Sequence, residues 1–328
     1  MLTFEQFPIW RGFNLQNLYV WKRSDKPFEE KDFQTISEWG FNYIRFPMDY
    51  RILCGGTDWD KIDEKAMERL DQGIEYGIKY NIHICINLHR APGYNVNVPE
   101  PTNLWADKEP QEAFARLWGI FAERYKKIPN LRLSFNLVNE PPDISEDVYA
   151  AVMKKAVDAI RANNPDRLII ADGRHNGNSP SGLIRQLGIA QAMRGYYPST
   201  VSHYKAEWVK GAMDFGPPEW PLVSDTAKTG KEYLWENSYK LWEDGINSHN
   251  VHVGEWGAHN KTPHDIVLRW MEDNLEIFKE HKLGWAIWNF NGSFGIVDSG
   301  RPDVQYENIN GYMTDRKMLE LLQKYLKY

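Results

Sequence analysis

The sequence predicts an α/β chain closed into a (β/α)8 (TIM) barrel, and three observations carry that reading. Eight short apolar segments alternate with helical patterns along the 328 residues, which implies parallel strands joined by helical crossovers. No glycine-rich phosphate loop follows the first strand, which sets aside the runner-up, an open doubly wound sheet. The apolar segments end in polar or charged residues, as barrel strands do where function collects. No composition shift, low-complexity linker or repeat of roughly 20–50 residues divides the chain. Residues 1–328 are therefore expected to form one barrel domain.

The strands are expected at Gly12–Leu15, Tyr43–Phe46, Ile82–Leu88, Leu131–Asn139, Leu168–Asp172, Thr200–Tyr204, Val251–Glu255 and Trp285–Trp288. Helical patterns fill Glu29–Trp39, Asp63–Tyr80, Gln111–Lys127, Ser145–Asn163, Lys231–His249, Thr262–Lys282 and Asp315 to the last residue. The fifth crossover, near Pro180–Ala190, has the weakest helical pattern. Within the fourth helix Val148, Val152, Ala156 and Ala159/Ile160 form one apolar stripe. Thr262 is expected to cap the helix that Pro263 opens. The fourth strand stops at Pro141 and Pro142, which cannot continue it.

Composition narrows the class. The formal charge is −6 with no basic block, which argues against a nucleic-acid partner. The sequence has no apolar run near 18 residues, so no membrane span is expected. Met1–Pro8 lacks a basic and an apolar leader region. That start fits a cytoplasmic protein, or a secreted one whose leader has been removed. Oligomeric state leaves no mark on the sequence. Of the two cysteines, Cys85 lies in the apolar run Ile82-His83-Ile84-Cys85-Ile86 and reads as a buried free thiol. Fourteen tryptophans and seventeen tyrosines suit the packing of sugar faces on aromatic rings. Trp118, Trp242 and Trp270 fall in helical patterns and read as core. Trp105, Trp208, Trp220, Trp256 and Trp288 flank strand ends or loops and are the cleft candidates.

Val138-Asn139-Glu140-Pro141 places an Asn–Glu pair at the rim of the fourth strand, and Val253-Gly254-Glu255-Trp256-Gly257 ends the seventh in a second glutamate. Two strand-end glutamates supply the acid/base and nucleophile that retaining glycoside cleavage needs, with carboxyl groups about 5–5.5 Å apart. Arg45 ends the second strand, where a buried guanidinium needs a carboxylate partner. His89 ends the third strand, His203 and Tyr204 the sixth, and Trp288 the eighth. His252, His259 and His264 lack metal-site spacing and read as surface residues. No cofactor and no metal are expected.

These motifs resemble glycoside hydrolase family 5, the retaining β-glycosidases that include cellulases, mannanases and β-mannosidases. The resemblance runs from Arg11-Gly12-Phe13-Asn14-Leu15 to Trp288-Asn289-Phe290. It rests most on Ile44-Arg45-Phe46-Pro47, Leu88-His89, Asn139-Glu140-Pro141 and Gly254-Glu255-Trp256-Gly257. It implies Glu140 as acid/base, Glu255 as nucleophile and Asn139 as partner of the substrate 2-hydroxyl. Arg45 and His89 would support the nucleophile and the −1 sugar, and Trp288 would be the platform beneath that sugar. The family's sixth strand ends His-x-Tyr, whereas this run is Val201-Ser202-His203-Tyr204-Lys205. If Tyr204 fills the Tyr position, Ser202 replaces the His; if His203 fills the His position, Lys205 replaces the Tyr. Tyr204 is the preferred functional tyrosine.

Glu255 must then be ionised, with Arg45 and Tyr204 favouring that state. Glu140 must hold a proton, raised by burial and by the Glu255 charge. The expected substrate is a neutral β-linked oligosaccharide. The loops Arg90–Pro99 and Lys205–Gly230 could wall the cleft, which favours an exo-acting β-mannosidase or β-glucosidase on short chains. An endo-β-1,4-glucanase or endo-β-mannanase is the alternative, and a non-catalytic sugar-binding barrel comes third.

Overall fold

A computed structural model describes residues 7–222 and 229–326. The first six residues, positions 223–228 of the long segment after the sixth strand, and residues 327–328 lie outside the described residues.

Eight parallel strands close on themselves in chain order, and the first pairs with the last. They are β1 (Arg11–Asn14), β2 (Tyr43–Asp49), β3 (His83–Arg90), β4 (Leu133–Val138), β5 (Ile169–Asp172), β6 (Ala190–Gly195), β7 (Val251–Trp256) and β8 (Trp285–Ile287). The main crossover helices are α1 (Glu30–Glu38), α2 (Glu64–Lys79), α3 (Lys108–Arg124), α4 (Glu146–Asn163), α5 (Gly182–Gln186), α6 (Gly230–Leu234), α7 (His264–Glu280) and α8 (Arg316–Lys324). Short helical turns extend α6 as far as Asn247. A small antiparallel pair, Glu307–Ile309 with Tyr312–Thr314, lies between β8 and α8. No helix among the described residues is long and apolar enough to cross a membrane.

The two-residue period of β2 shows how the cores are built. Ile44 and Phe46 point outward into the layer between strands and helices, whereas Tyr43 joins the barrel interior with Cys85, Ile170 and Ala192. Trp10 stacks on His83 at 3.5 Å in that interior cluster's neighbourhood, and Tyr43 lies parallel to the same imidazole. Close strand contact fixes Gly12, where a Cβ would stand 1.8 Å from the Tyr43 carbonyl oxygen. Cys54 and Cys85 are both buried free thiols.

Three expectations are corrected. The sixth strand is Ala190–Gly195, and Ser199–Ser202 is a helical turn instead of a strand. Ala190 therefore begins a strand where a fifth crossover helix was expected to end, and α5 keeps a little over one turn. Thr262 does not cap α7: its hydroxyl donates to the Val201 carbonyl at 2.7 Å, and Asp303 accepts from the His264 N–H at 2.7 Å. In α4 the stripe shifts: Val148 is exposed while Val152, Ala156 and Ile160 are buried beside Tyr149, Met153 and Val157. Caps do hold elsewhere, with Asp63, Ser145 and Asp315 accepting from backbone N–H groups of α2, α4 and α8.

Candidate active site

The carboxyl ends of the strands converge on two buried guanidiniums. Arg45 points inward from β2 and every nitrogen finds a partner. Its Nη1 donates to Glu255 Oε1 at 2.6 Å and to Asn14 Oδ1 at 3.0 Å, its Nη2 to Asn139 Oδ1 at 3.0 Å, and its Nε to Asn136 Oδ1 at 2.9 Å. Strands β1, β2, β4 and β7 are thus tied together at one charge.

Arg194, from β6, is the second. Its Nε donates to Glu140 Oε1 at 2.7 Å and its Nη2 to Asn139 Oδ1 at 2.8 Å. The same Nη2 pairs with Asp172 at the end of β5 and stands 3.2 Å from Glu255 Oε1. Arg194 lies directly across from Glu255 in the β6–β7 ladder, at a register shift. Glu140 and Glu255 therefore share one guanidinium. Charge-assisted contacts of this kind are the strong ones, and breaking a buried pair by removing one partner costs about 3–5 kcal/mol.

The two glutamates differ in their surroundings. Glu255 is nearly sealed, with 4% of its side chain exposed, and its second oxygen accepts from the Tyr196 hydroxyl at 3.1 Å. Glu140 keeps 17% of its side chain exposed. Burial, then the Glu255 charge, pushes its carboxyl up to about 7, against the opposing pull of Arg194. Its backbone is fixed on both sides: the N–H donates to Asp172 Oδ2 at 3.0 Å and the carbonyl accepts from the Tyr94 hydroxyl. Those contacts hold Glu140 at φ 44°, in the left-handed region that non-glycine residues seldom occupy.

His89, from β3, is buried and held neutral, chiefly by desolvation and then by Arg90, Arg45 and Arg194. Its ring lies near-parallel to Trp288 at 5.3 Å. Tyr19, from the loop after β1, stands edge-on to both rings, at 4.8 Å from His89 and 5.3 Å from Trp288. Asn139 spends its carbonyl oxygen on the two guanidiniums, and its buried Nδ2 has no partner among the described residues.

Placing the sixth strand at Ala190–Gly195 corrects His203 and Tyr204. The residues at that strand end are Arg194-Gly195-Tyr196, so Tyr196 reaches Glu255 and Arg194 takes the place a His-x-Tyr pattern gives to histidine. His203 sits one tier back: its ring is edge-on to Tyr196 at 4.9 Å, and its Nδ1 lies 2.8 Å from Ser202 Oγ, whose hydroxyl donates to the Tyr196 carbonyl. Burial drops the His203 imidazole to about 4. Tyr204 contributes a carbonyl that accepts from His259 Nδ1 at 3.0 Å, and its ring lies beside Lys205. Tyr196→Phe should lower kcat about ten- to a hundredfold, the worth of one hydrogen bond to a charged group, with the melting temperature nearly unchanged. Tyr204→Phe should leave kcat as it is. Steady-state kinetics on both variants checks the correction, and the reverse order would restore Tyr204.

Among the aromatic cleft candidates, Trp256 and Trp220 prove to be core, at 0% and 3% exposed, while Trp208 is 52% exposed on the rim. Trp105 packs half-buried against Tyr94 and Tyr149. His252, His259 and His264 are all buried, not surface residues. No cluster of three or more His, Cys, Asp or Glu among the described residues is arranged to hold a metal ion. Of the two loops expected as walls, Arg90–Pro99 braces Glu140 through Tyr94, and part of Lys205–Gly230 lies outside the described residues. Asp172, Arg194 and Tyr196 had no place in the sequence reading, although Asp172 ends an expected strand as the chosen residues do.

Comparison with known proteins agrees with the geometry. The family described as Cellulase (glycosyl hydrolase family 5) matches residues 3–293. Endoglucanase C of Acetivibrio thermocellus is 26% identical over 308 residues, spanning 86% of this chain and 89% of that protein. Cellodextrinase A of Ruminococcus flavefaciens is 25% identical over 294 residues, spanning 84% and 83%. A crystal structure described only as a glycoside hydrolase is 40% identical with a TM-score of 0.91, covering 96% of this chain and 99% of its own. Thermotoga maritima Cel5A in complex with mannotriose superimposes with a TM-score of 0.77 at 22% identity, covering 96% and 97%, a likeness of fold.

Proposed function

The chain belongs to glycosyl hydrolase family 5, and from that premise we propose that it is an endo-β-1,4-glucanase with Glu255 as nucleophile and Glu140 as acid/base. It is a retaining glycoside hydrolase acting on carbohydrate. The observation that supports the roles is the asymmetry of two carboxyl groups on one guanidinium. Glu255 is clamped at Oε1 by both arginines and, among the described residues, touched at Oε2 only by a neutral phenol, whereas Glu140 is raised to about 7.

Glu255 Oε2 attacks the anomeric carbon while the bond to the leaving oxygen breaks, and the Glu140 proton passes to that oxygen. Water then attacks the same carbon, gives its proton to Glu140, and the ester to Glu255 breaks. Asn139 Nδ2, unpartnered and buried at the same arginine hub, is available to the sugar 2-hydroxyl. Trp288 offers the ring beneath the −1 sugar.

Relatives named endoglucanase and cellodextrinase, aligned over most of their length, favour β-1,4-linked glucose chains. A second reading, exo-acting β-mannosidase or β-glucosidase on short chains, would have Tyr19, edge-on to both Trp288 and His89, close the cleft beside the −1 sugar. Carboxymethylcellulose and glucomannan, run beside manno- and cello-oligosaccharides, separate the two. Endo action drops viscosity sharply while few reducing ends form. Monosaccharide from the first minutes with viscosity unchanged would move the enzyme to the exo reading.

A further inference from the structure

We infer that Arg194 is the positioning residue that holds Glu140, and favours its ionised form, as Glu140 passes from acid to base between the two half-reactions. The inference rests on the roles proposed for Glu140 and Glu255 and on three observations. First, Arg194 touches both: its Nε is 2.7 Å from Glu140 Oε1 and its Nη2 is 3.2 Å from Glu255 Oε1. Second, the site is built around it. A Cβ at Gly177 would stand 2.6 Å from Arg194 Cγ, and one at Gly254 would stand 3.0 Å from Nη1, so two glycines leave the channel its side chain fills. Gly177 is also left-handed, at φ 82°. Third, the charges balance only in one protonation state at a time.

The groups facing Glu140 come from every neighbouring element. Asp172 on β5, Arg194 on β6 and Glu255 on β7 act on it directly, neutral Tyr19, Tyr94 and Tyr196 lie within reach of its charge, and Arg45 on β2 pairs with Glu255 and Asp172 behind them. In the free enzyme two guanidiniums meet three carboxyl groups, and a proton on Glu140 makes the cluster neutral. When Glu255 becomes a glycosyl ester it loses its charge. The two guanidiniums then face Asp172 alone until Glu140 gives up its proton. Arg194, already on the Glu140 oxygen, holds the resulting carboxylate in place to accept a proton from the incoming water. Glycosylation moves one proton from Glu140 to the leaving oxygen, and deglycosylation returns one from water, so the cycle balances.

Arg194→Gln and Arg194→Lys test this with two aryl β-cellobiosides, one carrying 2,4-dinitrophenolate and one a poor phenolate. Gln keeps a hydrogen-bond donor without charge; Lys keeps the charge without the fork. With Arg194→Gln, the alkaline limb of kcat/KM on the poor substrate should move up by about one pH unit or more, because an opposite charge no longer favours ionised Glu140. On the activated substrate kcat should fall about tenfold or more, with the glycosyl-enzyme accumulating, and azide should restore turnover since it needs no base. Arg194→Lys should keep its limb near the wild-type position. Limbs that stay in place in Arg194→Gln while activity falls evenly at all pH values would reduce Arg194 to scaffolding and overturn the inference. Glu140→Ala, assayed in parallel, keeps the two claims apart. If it yields no β-glycosyl azide, the underlying roles fail; if it does while the Arg194→Gln limbs stay put, this inference alone fails.

Discussion

Replacing Glu255 by glutamine is expected to lower turnover by about 10⁴-fold or more on every substrate, activated or not, because an amide cannot form the covalent ester. The effect should be large for a second reason. Arg45 Nη1 donates to Glu255 Oε1 at 2.6 Å and Arg194 stands at 3.2 Å, so glutamine leaves two buried cations facing a neutral amide. A lower melting temperature should accompany the loss of activity, and kcat measured on the fraction that remains folded separates the two effects. Residual activity within a hundredfold of wild type on a dinitrophenyl glycoside would remove Glu255 as the nucleophile.

Glu140→Ala should behave differently. Its loss should reach about 10²–10⁴-fold with poor leaving groups and shrink with an activated one, which departs without a proton. Azide should then accelerate turnover and leave a β-glycosyl azide, whereas an α-azide would exchange the roles of the two glutamates. The pH profile follows from the same residue. Because the Glu140 carboxyl is raised to about 7, it is protonated below that value and competent as acid, and kcat/KM should fall as pH rises through it. That alkaline limb should vanish in Glu140→Ala on the activated substrate. As the two carboxyl groups interact, each limb reports the pair.

Much of the barrel was legible because seven strands are apolar runs with a polar stop, and the period of the helices between them is plain. Tyr43-Ile44-Arg45-Phe46 shows the alternation directly, and its inward Arg45 reaches Glu255. The sixth strand was misread for a physical reason. Ala190-Gln191-Ala192-Met193-Arg194-Gly195 has no β-branched residue and is made mostly of helix formers, yet the barrel interior needs small side chains there, and Ala190 and Ala192 supply them. Val201-Ser202-His203-Tyr204 has better strand propensity but follows Pro198 and turns as a helix.

That shift moved two site residues with it. Tyr196 was hidden by a strand end placed at Tyr204 instead of Gly195, and His203 was credited with a rim position when it braces Tyr196 from behind. Arg194-Gly195-Tyr196 carried a usable signal, since it repeats the polar stop after an apolar run seen at His89 and Glu255, whereas Arg45 lies inside β2, which runs on to Asp49. Asp172 was visible as a strand end, but its work is to hold the Glu140 N–H and the Arg194 guanidinium, and such second partners emerge only when the strands are closed into a ring.

The measurement that tests the central assignment most directly is trapping of the covalent intermediate. A 2-deoxy-2-fluoro-β-cellobioside with a good leaving group slows both steps but the second more, so the glycosyl-enzyme accumulates. Peptide mass spectrometry after proteolysis should then find the fluorosugar on the peptide carrying Gly254-Glu255-Trp256, with fragmentation placing it on Glu255. A label on Glu140 would contradict the account.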